Sequence, residues 1–278
     1  MPRGRTLSLS FPPFTYWVKR IIIACGVIYF IQLLLQVFTA GGDRVFTLFG
    51  GLVPAFVLHG FIWQLVTYAF LHAGIWHVLI NMLMLWMFGA QLEQDWGPGR
   101  FLEFYLFCVV GAALTTIAVA YSPIPGVNPG TQTIGASGGI FGVLIAFGML
   151  YGNQEIFMFP LPFMMKAKYM IGIMIILVIF ATIDPRQGGV ANFAHLGGLL
   201  FGFLYVKFMP RRGVISGSSE RYFSMRNSYY RWKRRRAARK FEVYMRKHDR
   251  TVSFDEHGNY IPPEDDKKNG GGKSGWVN

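Results

Sequence analysis

The sequence predicts an all-α, polytopic membrane protein with six transmembrane helices, a short fourth span and a partly embedded first loop. Three observations carry that prediction. Of 278 residues, 53% are apolar and only 15% charged, against about 25% charged in an ordinary soluble domain. Apolar runs recur at 17–40, 75–92, 101–121, 137–151, 168–183 and 190–209, and a spanning helix needs about 20 mainly apolar residues. The net charge of +13 is unevenly spread: residues 1–210 hold 10 Lys and Arg against 6 Asp and Glu, while 211–278 hold 17 against 8. The chain therefore divides into a short cytoplasmic N-terminus (1–14), an apolar six-span body (15–210) and a basic cytoplasmic tail (211–278). One soluble globule, a disordered chain and a small disulfide scaffold are all excluded. Cys25 and Cys108 lie inside apolar runs without CxxC or metal-ligand spacing, and read as buried free thiols.

The first run is too long for a secretory signal and no small-residue cleavage site follows it, so it reads as a retained first span. The connection 41–74 is apolar and aromatic, with Phe46, Phe49, Phe56, Phe61, Trp63, Tyr68 and Phe70. A solvated loop is more polar, and aromatic rings favour the membrane interface. The alternative is a poorly formed hairpin in the membrane, although Gly50, Gly51, Pro54 and Gly60 disfavour a straight span. The fourth run, Ser137–Tyr151, has 15 residues. As helix it is about 22 Å long against a hydrocarbon core of about 30 Å, so one end must start below the surface.

Six spans put Arg3, Arg5, Lys19, Arg20, Arg100, Lys166, Lys168 and the tail on one side and leave Arg44 and Arg186 on the other. The basic side is the cytoplasm. Within the tail, 220–248 reads as helical, basic and aromatic, and the acidic, then Gly-rich end reads as disordered.

Polar groups are costly in such a body, which makes them informative. Between residues 11 and 215 there are two serines, Ser122 and Ser137. Ser122 precedes Pro123 in a loop. Ser137 stands in IGASGGIFG, where a Gly-rich loop turns into the short fourth helix. A serine at a helix start is most often an N-cap. Here the helix start falls beneath the membrane surface, where free N–H groups are tolerated only beside protein or a wet cavity. A helix N-terminus in such a cavity stabilises developing negative charge, as acyl transfer requires.

A nucleophilic serine needs a base. His195 stands at the head of the sixth span, with Gly198 and Gly202 on its helix face. Gly138 and Gly142 on the fourth span supply a matching surface for close approach. That approach carries His195 toward Ser137. His77 and Asn81 lie four apart on one face of the second span. They read as a helix–helix packing pair or, at the depth of Ser137, as oxyanion donors. No carboxylate is in clear reach, since Asp184 ends span five and Glu93 and Asp95 lie on the cytoplasmic side, so a Ser–His dyad is preferred to a triad. HExxH is absent from the chain, which argues against a metal site.

These residues resemble the rhomboid family of intramembrane serine proteases over roughly 15–210. The resemblance rests on three motifs in order: His77 and Asn81 as HxxxN, Gly135–Gly138 as GxSG around Ser137, and Ala194–His195 followed by Gly198 and Gly202. The stretch WQLVTYAFLHAG also looks like the family's first-loop region, with Gln64 where relatives often carry Arg. Phe141 falls where many relatives place an aromatic against the base, and AQLEQDWGPGRF fits the family's turn, with Glu93, Gly97 and Arg100.

The resemblance implies a serine endopeptidase acting on membrane proteins through an acyl-enzyme. Ser137 would be nucleophile and His195 base, then acid; His77, Asn81 and the Ser137 backbone N–H would hold the oxyanion. It implies no cofactor and no metal. The implied substrates are transmembrane proteins with a helix-destabilised span and small residues at the cut, reached from the outer side. The first loop and span five are the expected gate.

Two other classes stay open at this stage. A catalytically inactive relative would bind membrane helices as an adaptor, and a transporter would use broken helices, although intramembrane acids are nearly absent. For the tail, KRRRAARK suits anionic lipid headgroups better than nucleic acid, because it follows a span. A bacterial cytoplasmic membrane with both termini inside is the expected location.

Overall fold

The computed structural model describes residues 12–124, 128–157, 164–183, 190–208, 232–233, 235–248, 252–255 and 260–261. Contacts divide the chain into two compact units, residues 1–215 and 216–278. Asp184 and Arg186, like the first eleven residues, lie outside the described residues.

In the first unit, all six apolar runs are helical. Helix α1 (Tyr16–Phe38) and α7 (Pro98–Ala120) each have 23 residues. The run Ile75–Trp96 has 22 residues and comprises α5 (Ile75–Met84), a π-helical turn (Leu85–Gly89) and α6 (Ala90–Trp96). Among the described residues these three are long and apolar enough to cross a membrane. Shorter apolar helices follow: α8 (Ser137–Tyr151), α9 (Ala167–Ile183) and α10 (Val190–Phe208). A two-stranded ribbon, β1 (Glu155–Phe157) paired antiparallel with β2 (Met164–Lys166), joins α8 to α9.

The second run was expected to end at 92, yet its helix continues to Trp96. Glu93, only 3% exposed, explains the extension. Its carboxylate accepts the Trp17 N–H at 2.7 Å, the Val18 N–H at 2.9 Å and the Thr15 hydroxyl. Those amides are the open end of α1, which has no helical partner of its own. An acid placed there satisfies them and complements the helix dipole.

Helix α8 is the centre of the unit. Gly138, Gly139, Ile140, Gly142, Val143, Leu144, Ala146 and Phe147 are buried on it. Its glycines let neighbours in: Tyr105 and Val109 of α7 fill the space beside Gly139, and Cys108 the space beside Gly142. On the other side α10 comes closer still. A Cβ on Gly202 would lie 2.7 Å from the Gly142 Cα, and one on Gly198 would overlap the Gly138 carbonyl oxygen. Close backbone approach substitutes dispersion contact for the hydrophobic drive that lipid does not supply.

The connection 41–74 is a chain of short helical pieces: α2 (Gly42–Gly50), α3 (Pro54–Leu58), α4 (Gln64–Thr67) and a 3-10 turn (Tyr68–Phe70). The longest has nine residues, about 14 Å, shorter than a span requires. Phe49, Phe61 and Trp63 cluster, with centroids 4.8–6.4 Å apart. Beneath them Gln64 is fully buried. Its Oε1 accepts the Val53 N–H at 3.0 Å, and its Nε2 donates to the Leu48 and Phe49 carbonyls at 3.1 Å each. A neutral amide thus binds three backbone groups that would otherwise be buried unpaired.

The second unit was expected to be helical and then disordered. Residues 235–246 form a helix, α11, and a short antiparallel pair follows, β3 (Ser253–Phe254) with β4 (Tyr260–Ile261). The Gly-rich end lies outside the described residues.

Replacing Gln64 by Leu should lower stability by about 2–4 kcal/mol, because the Val53 amide and two carbonyls lose their partner in a dry site. Thermal unfolding of the purified protein measures this. Thr67→Val, which removes one hydroxyl from the Gly50 carbonyl (2.6 Å), should cost less.

Candidate active site

Ser137 is the first residue of α8, and Ala136, with φ −69° and ψ −10°, is the cap. The hydroxyl is therefore not spent on capping. Its Oγ lies 2.8 Å from Nε2 of His195, a residue 58 positions later in the chain. His195 is the sixth residue of α10, which begins at Val190, where the apolar run also begins. The Phe141 ring, one turn after Ser137, lies against the imidazole with centroids 4.6 Å apart and planes 33° apart. The contact fixes the ring through its face and leaves Nε2 to the serine.

The loop before α8 is held by the first loop. Leu52 and Thr133 exchange two backbone hydrogen bonds, 2.9 and 2.8 Å. The Ala55 N–H donates to the Pro129 carbonyl at 3.0 Å, and the Gly135 N–H to the Tyr68 carbonyl at 2.9 Å. The Tyr68 hydroxyl in turn donates to the Val109 carbonyl of α7 at 2.8 Å.

Gly135 adopts φ +127°, a region that side chains avoid. A Cβ there would also sit 2.8 Å from Cε1 and Nε2 of His77 and 3.6 Å from the Ser137 Oγ. The missing side chain therefore leaves a space bounded by His77 Nε2 and the serine oxygen. The His77 Nδ1 accepts the Ala73 N–H at 3.3 Å. That assignment puts the ring proton on Nε2, which makes the nitrogen facing the space a donor. At the head of α8 the first helical bond runs from the Ile140 N–H to the Ala136 carbonyl at 3.1 Å. The amides of Ser137 to Gly139 precede it, as free N–H groups at a helix start do.

Asn81 lies one helical turn after His77 on α5. Its Nδ2 donates to the His77 carbonyl at 2.8 Å, which ties it to its own helix one turn back. Ser137 and His195 are hydrogen-bonded, His77 borders the space beside Gly135, and Asn81 is bonded to the turn that carries His77. Gly138, Gly142, Gly198 and Gly202 are all at the α8–α10 contact.

Sequence reasoning passed over His72. Its ring lies edge-on to His77, centroids 5.1 Å apart, and it is 2% exposed. The Gln32 side chain fixes its backbone, accepting the His72 N–H at 3.1 Å and donating to its carbonyl at 3.3 Å. Burial, with a smaller push from His77, lowers its pKa to about 4, so it stays neutral near pH 7. The signal was present in the five-residue spacing from His72 to His77, but a loop histidine lacks the helical register that marked the others.

Among the described residues no three His, Cys, Asp or Glu side chains gather as a metal-binding group.

A family model, the Rhomboid domain, matches residues 59–212. The chain belongs to the rhomboid family. It is 32% identical over 197 residues to the Rhomboid protease GluP of Bacillus subtilis, covering 69% of this chain and 34% of that protein. It is 32% identical over 139 residues to the yeast Rhomboid protein 1, mitochondrial, covering 49% and 39%. With the Rhomboid protease AarA of Providencia stuartii it shares 27% identity over 187 residues, covering 64% and 66%. The chain spans about a third of the length of the first of these relatives and two fifths of the second. Membership together with the long apolar helices makes it an integral membrane protein.

The α8–α10 approach should be intolerant of added volume. Gly198→Val should lower the melting temperature markedly, because overpacking costs about 1–3 kcal/mol or more and no flexible neighbour can yield. Leu200→Val, on the half-exposed face of the same helix, serves as the control and should shift it little.

Proposed function

We propose that the chain is an intramembrane serine endopeptidase that cleaves transmembrane proteins by a Ser137–His195 dyad. The observation that carries this reading is the 2.8 Å approach of Ser137 Oγ to His195 Nε2 at the buried start of α8. The family supports it, through relatives named as proteases.

In this mechanism His195 Nε2 accepts the Ser137 proton as the oxygen attacks the scissile carbonyl. The tetrahedral oxyanion forms in the space beside Gly135. There the His77 Nε2–H and the Ser137 backbone N–H donate to it, and the N-terminal dipole of α8 favours the charge. Collapse expels the amine, which takes the proton from His195, and leaves an acyl-enzyme on Ser137. Water then attacks the ester, its proton passing to His195 and on to the serine oxygen. Asn81, bonded to the His77 turn through one amide hydrogen, is read as a further donor to the oxyanion through the other. No cofactor or metal takes part.

The body, 15–210, is read as six spans, with α8 as a short fourth one reached by a water-filled hollow from the outer face. The N-terminus and the basic tail are then cytoplasmic, as the distribution of basic residues favours. The aromatic first loop lies partly in the outer interface, and with α9 it borders the route for a substrate helix. A bacterial cytoplasmic membrane is the proposed location.

Purified protein and a model transmembrane substrate in proteoliposomes test the reading. Ser137→Ala and His195→Ala should each lower cleavage by about 10³-fold or more, and His77→Ala by about 10²-fold. A fluorophosphonate should label the parent and not Ser137→Ala. Undiminished cleavage by both dyad variants would refute the proposal. Substrate binding without cleavage or labelling would mean an inactive helix-binding protein instead.

A further inference from the structure

Helix α11 has two unlike faces. The inward face carries Ala238, 8% exposed, with half-buried Glu242 and Met245. Phe241 beside them meets Phe254 of β3 edge-on, centroids 6.2 Å apart. This face already has its partner within the second unit.

The outward face is built differently. Lys233, Arg236, Lys240 and Lys247 are all exposed. At 100° per residue Arg236, Lys240 and Lys247 fall within a stripe about 40° wide, and the exposed Arg235, Arg239 and Arg246 widen the basic sector to about 140°. Lys247 remains on the helix, its N–H donating to the Val243 carbonyl at 3.3 Å. Trp232 and Val243 flank the stripe on one side and Tyr244 on the other, all at least half exposed. The Arg236 guanidinium lies over the Trp232 ring, 5.4 Å from its centroid. Glu242, the one acid in 232–248, is on the far side.

We propose that this outward face is a docking surface for anionic phospholipid headgroups of the bilayer that the chain itself enters. Cations in a row, bordered by exposed Trp, Val and Tyr, suit the headgroup boundary. The basic heads meet phosphates while the aromatic and aliphatic groups enter the acyl edge. The tether decides between lipid and nucleic acid. Trp232 lies 24 residues beyond Phe208, the end of apolar α10, so headgroups are within constant reach. A nucleic acid must be recruited from solution, and it gains nothing from an exposed Val243.

The full-length protein in nanodiscs tests this by amide hydrogen exchange over 235–246, and the measurement needs no proteolytic activity. Replacing neutral phosphatidylcholine with a mixture containing about 30% phosphatidylglycerol should slow exchange about tenfold. About 0.5 M salt should reverse the effect. The combined change Lys233→Gln, Arg236→Gln, Lys240→Gln and Lys247→Gln should remove the protection, whereas Lys233→Arg with Lys240→Arg and Lys247→Arg should keep it. If the Gln variant loses its helix in both lipids, the charge-preserving variant decides. Equal exchange of the parent in the two lipids would overturn the proposal, as would stronger protection by a single-stranded RNA in neutral discs than by the anionic lipid.

Discussion

Everything near Ser137 depends on two helix backbones touching. Helices α8 and α10 meet at Gly138 against Gly198 and at Gly142 against Gly202, with no room at either level for one more carbon atom. In lipid, such contact is a principal source of helix–helix adhesion, since burying another leucine changes little. The same contact sets the distance between two side chains 58 residues apart in sequence. Neither Ser137 nor His195 needs a long or flexible reach, because the helices deliver them. Phe141 then limits the one remaining freedom, rotation of the imidazole.

A second layer holds the loop that leads into α8. The first loop donates to and accepts from residues 128–135 at Leu52, Ala55 and Tyr68, and Tyr68 ties this assembly to α7. Irregular backbone is tolerated at membrane depth only when its polar groups are satisfied by protein or trapped water. The short helices between Gly42 and Phe70 meet that requirement for one another and for the loop carrying Gly135.

The legible part of the fold was the part written in local composition. Six apolar runs became helices because each holds its own backbone hydrogen bonds. Ser137 and His195 stood out because polar residues are scarce around them, and their glycines announced a close neighbour. The illegible part arises from contacts between distant residues. Nothing near Glu93 says that its carboxylate will cap α1, some 75 positions earlier. The π-helical turn at Leu85–Gly89, with Leu85 and Phe88 in the core, falls inside an unbroken apolar pattern. His72 and the pieces of the first loop lack periodicity, so their positions emerge only once Gln32, Gln64 and Tyr68 are seen to hold them. His195 could be placed on α10 from the apolar run 190–209, which begins where the helix does, but its distance from Ser137 is set by packing between helices rather than by anything local to either.

The fully buried Gln64 has one further consequence. A guanidinium in its place would be a fixed charge in the same buried site. A transmembrane voltage does work on such a charge, about 2.3 kcal/mol per elementary charge for each 100 mV it traverses. The carboxamide of Gln64 makes its three backbone bonds with no net charge. The anchor itself therefore adds no charge on which a membrane potential could act.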